Sequence, residues 1–167
     1  MKKNLFLFII ILGTFLINAC EKDDICVDGD TPLLVLRFYD AEDTAALKSV
    51  SNLRILGAGQ ESPVNTFADR ATVDSVAIPL RADQSTTQFY IILDSSDEND
   101  LETGNIDTLD FAYTVEEIFV SRACGFIANY NDLTPQLTTG PENWIQSIEV
   151  VDTTVTNQFS AHVKIFH

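Results

Sequence analysis

In the stretch Leu109-Asp110-Phe111-Ala112-Tyr113-Thr114-Val115, large apolar residues hold every odd position, and Asp, Ala and Thr hold the even ones. Successive side chains of an extended chain point to opposite faces, so a period of two predicts a strand with one face in a core and one in water. Upstream, Phe89-Tyr90-Ile91-Ile92-Leu93 is apolar on both faces, as expected of a strand at the centre of a sheet. Downstream, Ile118 to Cys124 is a further strand after Glu116-Glu117; Gly125 breaks or bulges it, and Phe126 to Tyr130 continues it.

The same signals extend to both ends of the chain. Leu33 to Tyr39 forms a strand entered through Thr31-Pro32, and residues 40–48 form a loop or a single helical turn. Val50 to Leu56 forms the next strand, stopped at Gly57-Ala58-Gly59. Val73 to Leu80 forms another, with Pro79 marking an edge or bulge. Trp144 to Val151 follows, and Phe159, Ala161, Val163 and Ile165 alternate with Ser160, His162 and Lys164 in the last strand. Seven to nine short strands, frequent turn signals and no long amphipathic helix predict an all-β fold. The expected form is a single antiparallel β-sandwich of immunoglobulin-like or Greek-key type, with a closed barrel as the alternative.

With 167 residues, 46% of them hydrophobic, the chain can bury one core and has little room for two domains. Ten Lys and Arg stand against 25 Asp and Glu, for a formal charge of −15. That balance argues against a nucleic-acid partner, because phosphate contacts need clustered cations, and against flat docking on an anionic membrane.

The first residues read as an address. Met1-Lys2-Lys3 is basic, Leu5 to Ile17 is almost wholly apolar, and Asn18-Ala19-Cys20 follows. This is the plan of a secretory signal peptide over residues 1–19, since the apolar run is shorter than the roughly 20 residues of a membrane span. Ile17-Asn18-Ala19-Cys20 resembles the lipobox of bacterial lipoproteins, in which cleavage falls before a Cys that is then diacylated. Glu21-Lys22-Asp23-Asp24 is similar to the Lys-acid-acid surface-export signal of Bacteroidota lipoproteins, with Lys22, Asp23 and Asp24 as its matching positions. Residues 20–25 then form a lipidated acidic tether and 26–167 the folded domain. Losing residues 1–19 removes two Lys and no acid, which leaves a charge of −17.

If Cys20 carries lipid, Cys26 and Cys124 remain in an oxidising compartment, and an even remainder there predicts a disulfide. Alternation places Cys124 on the face of Ile118 and Val120, expected to be the buried one. Two free thiols or a nucleophilic Cys are the alternatives.

Chemistry-bearing clusters are sparse. His162 lies on the expected polar face of the last strand and His167 is the final residue of the sequence, so both read as surface residues. Asp94, Asp97, Glu98, Asp100, Glu102, Asp107 and Asp110 crowd between two strands. Hard oxygen ligands at this density make Asp94, Asp97 and Asp100 weak calcium candidates, although their spacing departs from an EF-hand loop. Paired carboxylates could also serve glycoside hydrolysis. Trp144 and the strand aromatics read as core.

Several motifs run in order along the chain: Cys20-Glu21-Lys22-Asp23-Asp24-Ile25-Cys26, Leu36-Arg37-Phe38-Tyr39-Asp40, Val76-Ala77-Ile78-Pro79-Leu80, Ser121-Arg122-Ala123-Cys124-Gly125-Phe126, Asn143-Trp144-Ile145 and Ala161-His162-Val163-Lys164-Ile165-Phe166. Together they resemble an uncharacterised, mostly flavobacterial lipoprotein family of Bacteroidota, the domain of unknown function six-four-five-two. The resemblance supports lipidation and pairing of the two Cys, and it brings no known activity. Asp43-Thr44-Ala45, Asp74-Ser75-Val76, Asp107-Thr108-Leu109 and Asp152-Thr153-Thr154 further resemble Bacteroidota O-glycosylation acceptors, which makes Thr44, Ser75, Thr108 and Thr153 candidate glycan sites.

The expected protein is a non-enzymatic outer-membrane lipoprotein without a cofactor. It is held to the membrane by its lipid, is exposed at the cell surface or else on the periplasmic face, and serves as an envelope accessory or binding module for a protein or glycan. The alternatives are a calcium- or glycan-binding module using residues 94–110 and a carboxylate-dependent hydrolase.

Overall fold

The computed structural model describes Cys26 and residues 29–167. Eleven strands follow one another: β1 (Leu34–Tyr39), β2 (Val50–Gly57), β3 (Ala71–Val73), β4 (Ser75–Ile78), β5 (Thr86–Leu93), β6 (Asp97–Glu98), β7 (Leu101–Glu102), β8 (Asn105–Ser121), β9 (Gly125–Leu137), β10 (Ser147–Val150) and β11 (Val163–Phe166). Among the described residues there is no helix. The all-β expectation holds.

Two larger sheets organise the chain. One has the order β10-β11-β1-β4, the other β3-β2-β5-β8-β9, and β6-β7 is a separate hairpin. Their inward residues share one core, with Leu34, Leu36, Phe38, Ile78 and Ile165 from the first sheet and Leu53, Ile55, Phe89, Ile91, Phe111 and Tyr130 from the second. β5 takes the third place of five in its sheet, as its two apolar faces predict.

The sheets depart from the sequence reading in three details. The pair β1–β11 is parallel, with Leu36 opposite Val163, within an otherwise antiparallel set of pairings. The single run Val73 to Leu80 serves two sheets: β3 pairs with β2, the chain crosses at Asp74, and β4 pairs with β1. The last strand is only four residues long, and Phe159, read as part of it, is 93% exposed.

β8 is the longest strand at 17 residues. Its first half pairs with β5 through Ala112, whereas beyond Thr114 it pairs with β9 alone. The result is a two-stranded arm extending past the edge of β5. Residues 122–124 form its turn, so Cys124 and Gly125 close a hairpin where the sequence suggested a bulged strand. Gly125 has a φ of 72°, a left-handed conformation that costs glycine little.

Cys26 is bonded to Cys124, which fixes the N-terminal lead to the arm's turn. The lead then runs back along β9, where the amide of Ala128 donates to Thr31 Oγ1 at 3.1 Å. Gly29 lies so close to the disulfide that a Cβ there would collide with Cys26 Sγ and approach Cys124 Cβ to 2.7 Å. Glycine is thus required where two backbones and a disulfide converge.

Both histidines are buried, contrary to the surface reading. His162 is 1% exposed, and its Nδ1 accepts the amide of Val35 at 3.0 Å while its own amide donates to Val35 O at 3.0 Å. The ring must therefore be neutral, with its proton on Nε2. Burial lowers its pKa, against the pull of Asp152. His167 packs edge-on against Trp144 and Phe38, with ring centroids 5.4 and 6.2 Å away, and burial lowers its pKa too. Trp144 is core as expected, and its Nε1 donates to Ile91 O at 3.2 Å, joining the segment before β10 to the other sheet.

Candidate functional site

The acidic stretch is held by arginines from elsewhere in the chain. Arg54 on β2 is 3.3 Å from Glu102, 3.7 Å from Asp97 and 3.5 Å from Asp69. Arg70 Nη2 lies 2.6 Å from Asp97, and Arg70 Nε donates to Ser95 Oγ at 3.0 Å. Burial pushes the Glu102 carboxyl up. Hydrogen bonds from Gly104, Ser95, Ser96 and Arg54 together outweigh it and hold the carboxyl below its ordinary value. Asn99 and Asp100, with φ of 54° and 64°, are the two-residue turn between β6 and β7, a mirror-image turn that favours Asn and Asp. Asp94 accepts a hydrogen bond from Ser51 Oγ. Gly104 is packed so tightly that a Cβ would lie 2.8 Å from Leu93 O.

The calcium candidates therefore divide: Asp97 pairs with two guanidinium groups, Asp94 with a hydroxyl, and Asp100 forms a turn. Among the described residues no three His, Cys, Asp or Glu side chains converge on a cation position. Asp107 and Asp110 do different work. Asp107 is 2% exposed and accepts Asn143 Nδ2 and the amide of Ile145, each at 2.8 Å, which pins the segment before β10 to β8. Burial raises its pKa, and those same hydrogen bonds oppose the rise. Asp110 accepts Gln88 Nε2 at 2.8 Å.

A cleft that sequence reasoning did not anticipate opens between residues 57–65 and residues 79–89, with a volume of about 520 Å³. Its apolar lining includes Val64, Leu80, Phe89 and two prolines; its polar lining is side-chain amides and hydroxyls, Gln60, Ser62 and Gln84 among them. No carboxylate lines it, and its one charged residue, Arg81, forms a bidentate pair with Asp83 at 2.8 and 3.1 Å.

Two tyrosines from the base of the arm hold one wall of this cleft. Tyr130 Oη donates to Leu80 O at 3.0 Å, and Tyr113 Oη donates to Arg81 O at 2.8 Å. The amide of Arg81 in turn donates to Thr87 Oγ1 at 3.0 Å and to Tyr113 Oη at 3.1 Å. Burial raises both phenols, and Tyr130 is pushed up to about 12. The opposite wall folds back on β2 through a 2.9 Å bond from the amide of Val64 to Ile55 O. A local signal did exist in the side-chain amides at 60, 65, 84 and 88. They come from two loops and from β5, so their convergence is tertiary. A second, more open groove of about 700 Å³ lies over the start of β8, between Thr103–Thr108 and Thr138–Asn143.

The other candidate sites fall as follows. Thr44 and Thr153 lie in exposed segments between strands, while Ser75 on β4 and Thr108 on β8 are half-buried. Lipidation at Cys20 and the export signal at Lys22, Asp23 and Asp24 lie outside the described residues.

The model of a protein family described as a family of unknown function (DUF6452) matches residues 52–167. No curated protein and no solved structure matches the chain.

Proposed function

The chain belongs to this family of unknown function, and we propose that it works as a non-enzymatic binding module, held at the outer membrane by lipid on Cys20 and exposed to the cell surface. The observation that carries the binding role is the cleft between residues 57–65 and 79–89. Its size falls in the roughly 300–1,000 Å³ range of ligand pockets, with apolar walls and a few convergent polar groups. Amides and hydroxyls both donate and accept, and carboxylates are absent from the lining even though the chain has 25 acids. A neutral, hydroxyl-rich ligand fits these terms, and a glycan segment is the one we favour. Shifted titratable groups often mark catalytic sites. Here Asp107, Tyr113, Tyr130 and His162 each hold a neighbouring segment through hydrogen bonds, which supports a non-catalytic reading.

Two measurements test the proposal. Intact mass spectrometry of protein extracted from membranes should find a diacylated Cys20; an unmodified amino terminus there would remove the anchor. Calorimetric titration with maltohexaose and mannohexaose should give saturable heat, weakened about tenfold by Gln60→Ala with Gln84→Ala, the loss of about one or two ligand hydrogen bonds. Absence of heat from both sugars would overturn the glycan reading.

A further inference from the structure

The end of the arm presents an apolar surface. Phe119 and Phe126 face each other across β8 and β9, with ring centroids 5.3 Å apart, and are 57% and 66% exposed. They lie on the face that packs inward as Val115 and Tyr130 nearer the body. Residues 118–127, the end of the hairpin, contain no acid and a single base, Arg122, in a chain whose acids outnumber its bases by 25 to 10; acids resume at the exposed Glu117, opposite Ala128. An aromatic pair on an acid-free tip is what a neutral, partly apolar phase would accept.

The disulfide determines which phase this tip can reach. Six residue steps separate Cys20 from Cys26, a reach of roughly 20 Å at full extension. Cys26 is covalently fixed to Cys124, with their Cα atoms 4.9 Å apart, and Phe126 follows two residues later. Lipid on Cys20 therefore leashes this tip to the bilayer. Leu101, which is 69% exposed, lies just before the opposite end of β8 and has no such leash.

We propose that the β8–β9 tip is a membrane-contact surface, with Phe119 and Phe126 seated in the headgroup and acyl boundary of the leaflet that holds the lipid on Cys20. This inference rests on the anchored reading above. The arm would then stand as a post between bilayer and body, with the phenylalanines as its foot and the lipid beside it. The charge of −17 on the mature chain opposes laying the body flat on an anionic leaflet, which favours the upright arrangement.

The test uses the lipidated protein reconstituted in phosphatidylcholine vesicles containing acyl-brominated lipid, with Phe119→Trp and, separately, Leu101→Trp. Flotation of the vesicles reads the anchor, and quenching of the emission gained over the unsubstituted protein, whose Trp144 is buried, reads the tip. The expected result is flotation of both variants, with a blue-shifted emission from Phe119→Trp reduced roughly twofold by brominated lipid, and no quenching of Leu101→Trp. Flotation without quenching of either variant overturns the tip contact and leaves the anchor standing. Equal quenching of both overturns the upright geometry. Blue-shifted but unquenched emission from Phe119→Trp would assign the tip to a second copy or an envelope protein instead. Failure to float, with an unmodified Cys20 by mass, removes the anchor and this inference with it. Phe126→Trp repeats the measurement if Phe119→Trp does not retain the Cys26–Cys124 bond.

Discussion

The two ends of β8 are stabilised by opposite means. Near Asn105, charge does the work: Arg54 and Arg70 gather Asp69, Asp97 and Glu102, and the β6–β7 hairpin folds around them. Near Ser121 the neighbouring charge is Arg122 alone; a disulfide and the pairing of β8 with β9, Ile118 opposite Ile127 included, hold the turn. Each end also has a glycine that leaves no room for a Cβ, Gly104 at the first and Gly29 at the second. One strand thus joins a region sensitive to pH and salt to one sensitive to redox conditions. The two should fail independently.

The largest expected effect comes from removing the staple. Cys26→Ser with Cys124→Ser opens a link between positions 98 apart, for which the chain-entropy model gives up to about 4.7 kcal/mol. Urea unfolding should record most of that loss, and hydrogen exchange should accelerate first at residues 118–128. Unchanged protection there would mean that strand pairing alone holds the arm.

Glu102→Ala strikes the other end. It removes the acceptor for Ser95, Ser96, Gly104 and Arg54 and leaves their donors partly buried, a cost of about 2–3 kcal/mol. Exchange should accelerate at residues 95–104 while the arm keeps its protection. If the two regions loosen together in either variant, the independence of the ends is wrong.

Acid should separate two regions in order. His162 and His167 have lowered pKa values in the fold, so their contribution is complete above the ordinary 6.5 and is lost as pH falls below it. Glu102 is also lowered, so its contribution is present above the ordinary 4.5 and disappears as pH falls through its folded value. Thermal melts across this range should lose stability first at the β1–β11 seam and next at the acidic end. A melting temperature that stays flat just below pH 6.5 would contradict the neutral, buried His162.

The smallest effect on stability belongs to Phe119→Ser with Phe126→Ser. Both rings are mostly exposed, so the unfolding midpoint should shift by no more than about 0.5 kcal/mol. A larger loss would show that the aromatic pair holds the turn as well as presenting a surface.

Much of this comparison was legible in the sequence, though unevenly. Period-two alternation from Leu109 to Val115 located β8, and the double-faced apolar run at Phe89 to Leu93 located the central strand. Cysteine arithmetic located the staple. Asp74 was missed as a crossing point because an apolar run carries no mark of which sheet each half joins. His162 was misread because parity along a strand predicts a face, whereas the ring's bond to Val35 depends on a residue 127 positions away. The acidic cluster was visible as composition, but Arg54 and Arg70, its counter-charges, arrive from the strands and loops before it. The cleft had no compact motif at all, because its lining comes from the loop that follows β2 and from a separate segment that runs into β5.

The parallel pairing of β1 with β11 sets an order of events in time. β1 lies between β11 and β4 in its sheet, and the partner on one side is supplied only by residues 163–166. A chain that emerges amino end first presents β1 early and then waits for nearly all the rest to emerge before that sheet can close. The five-stranded sheet, whose last strand ends at Leu137, has all its strands before then, so the sheet that holds the first strand of the chain is the last to be completed.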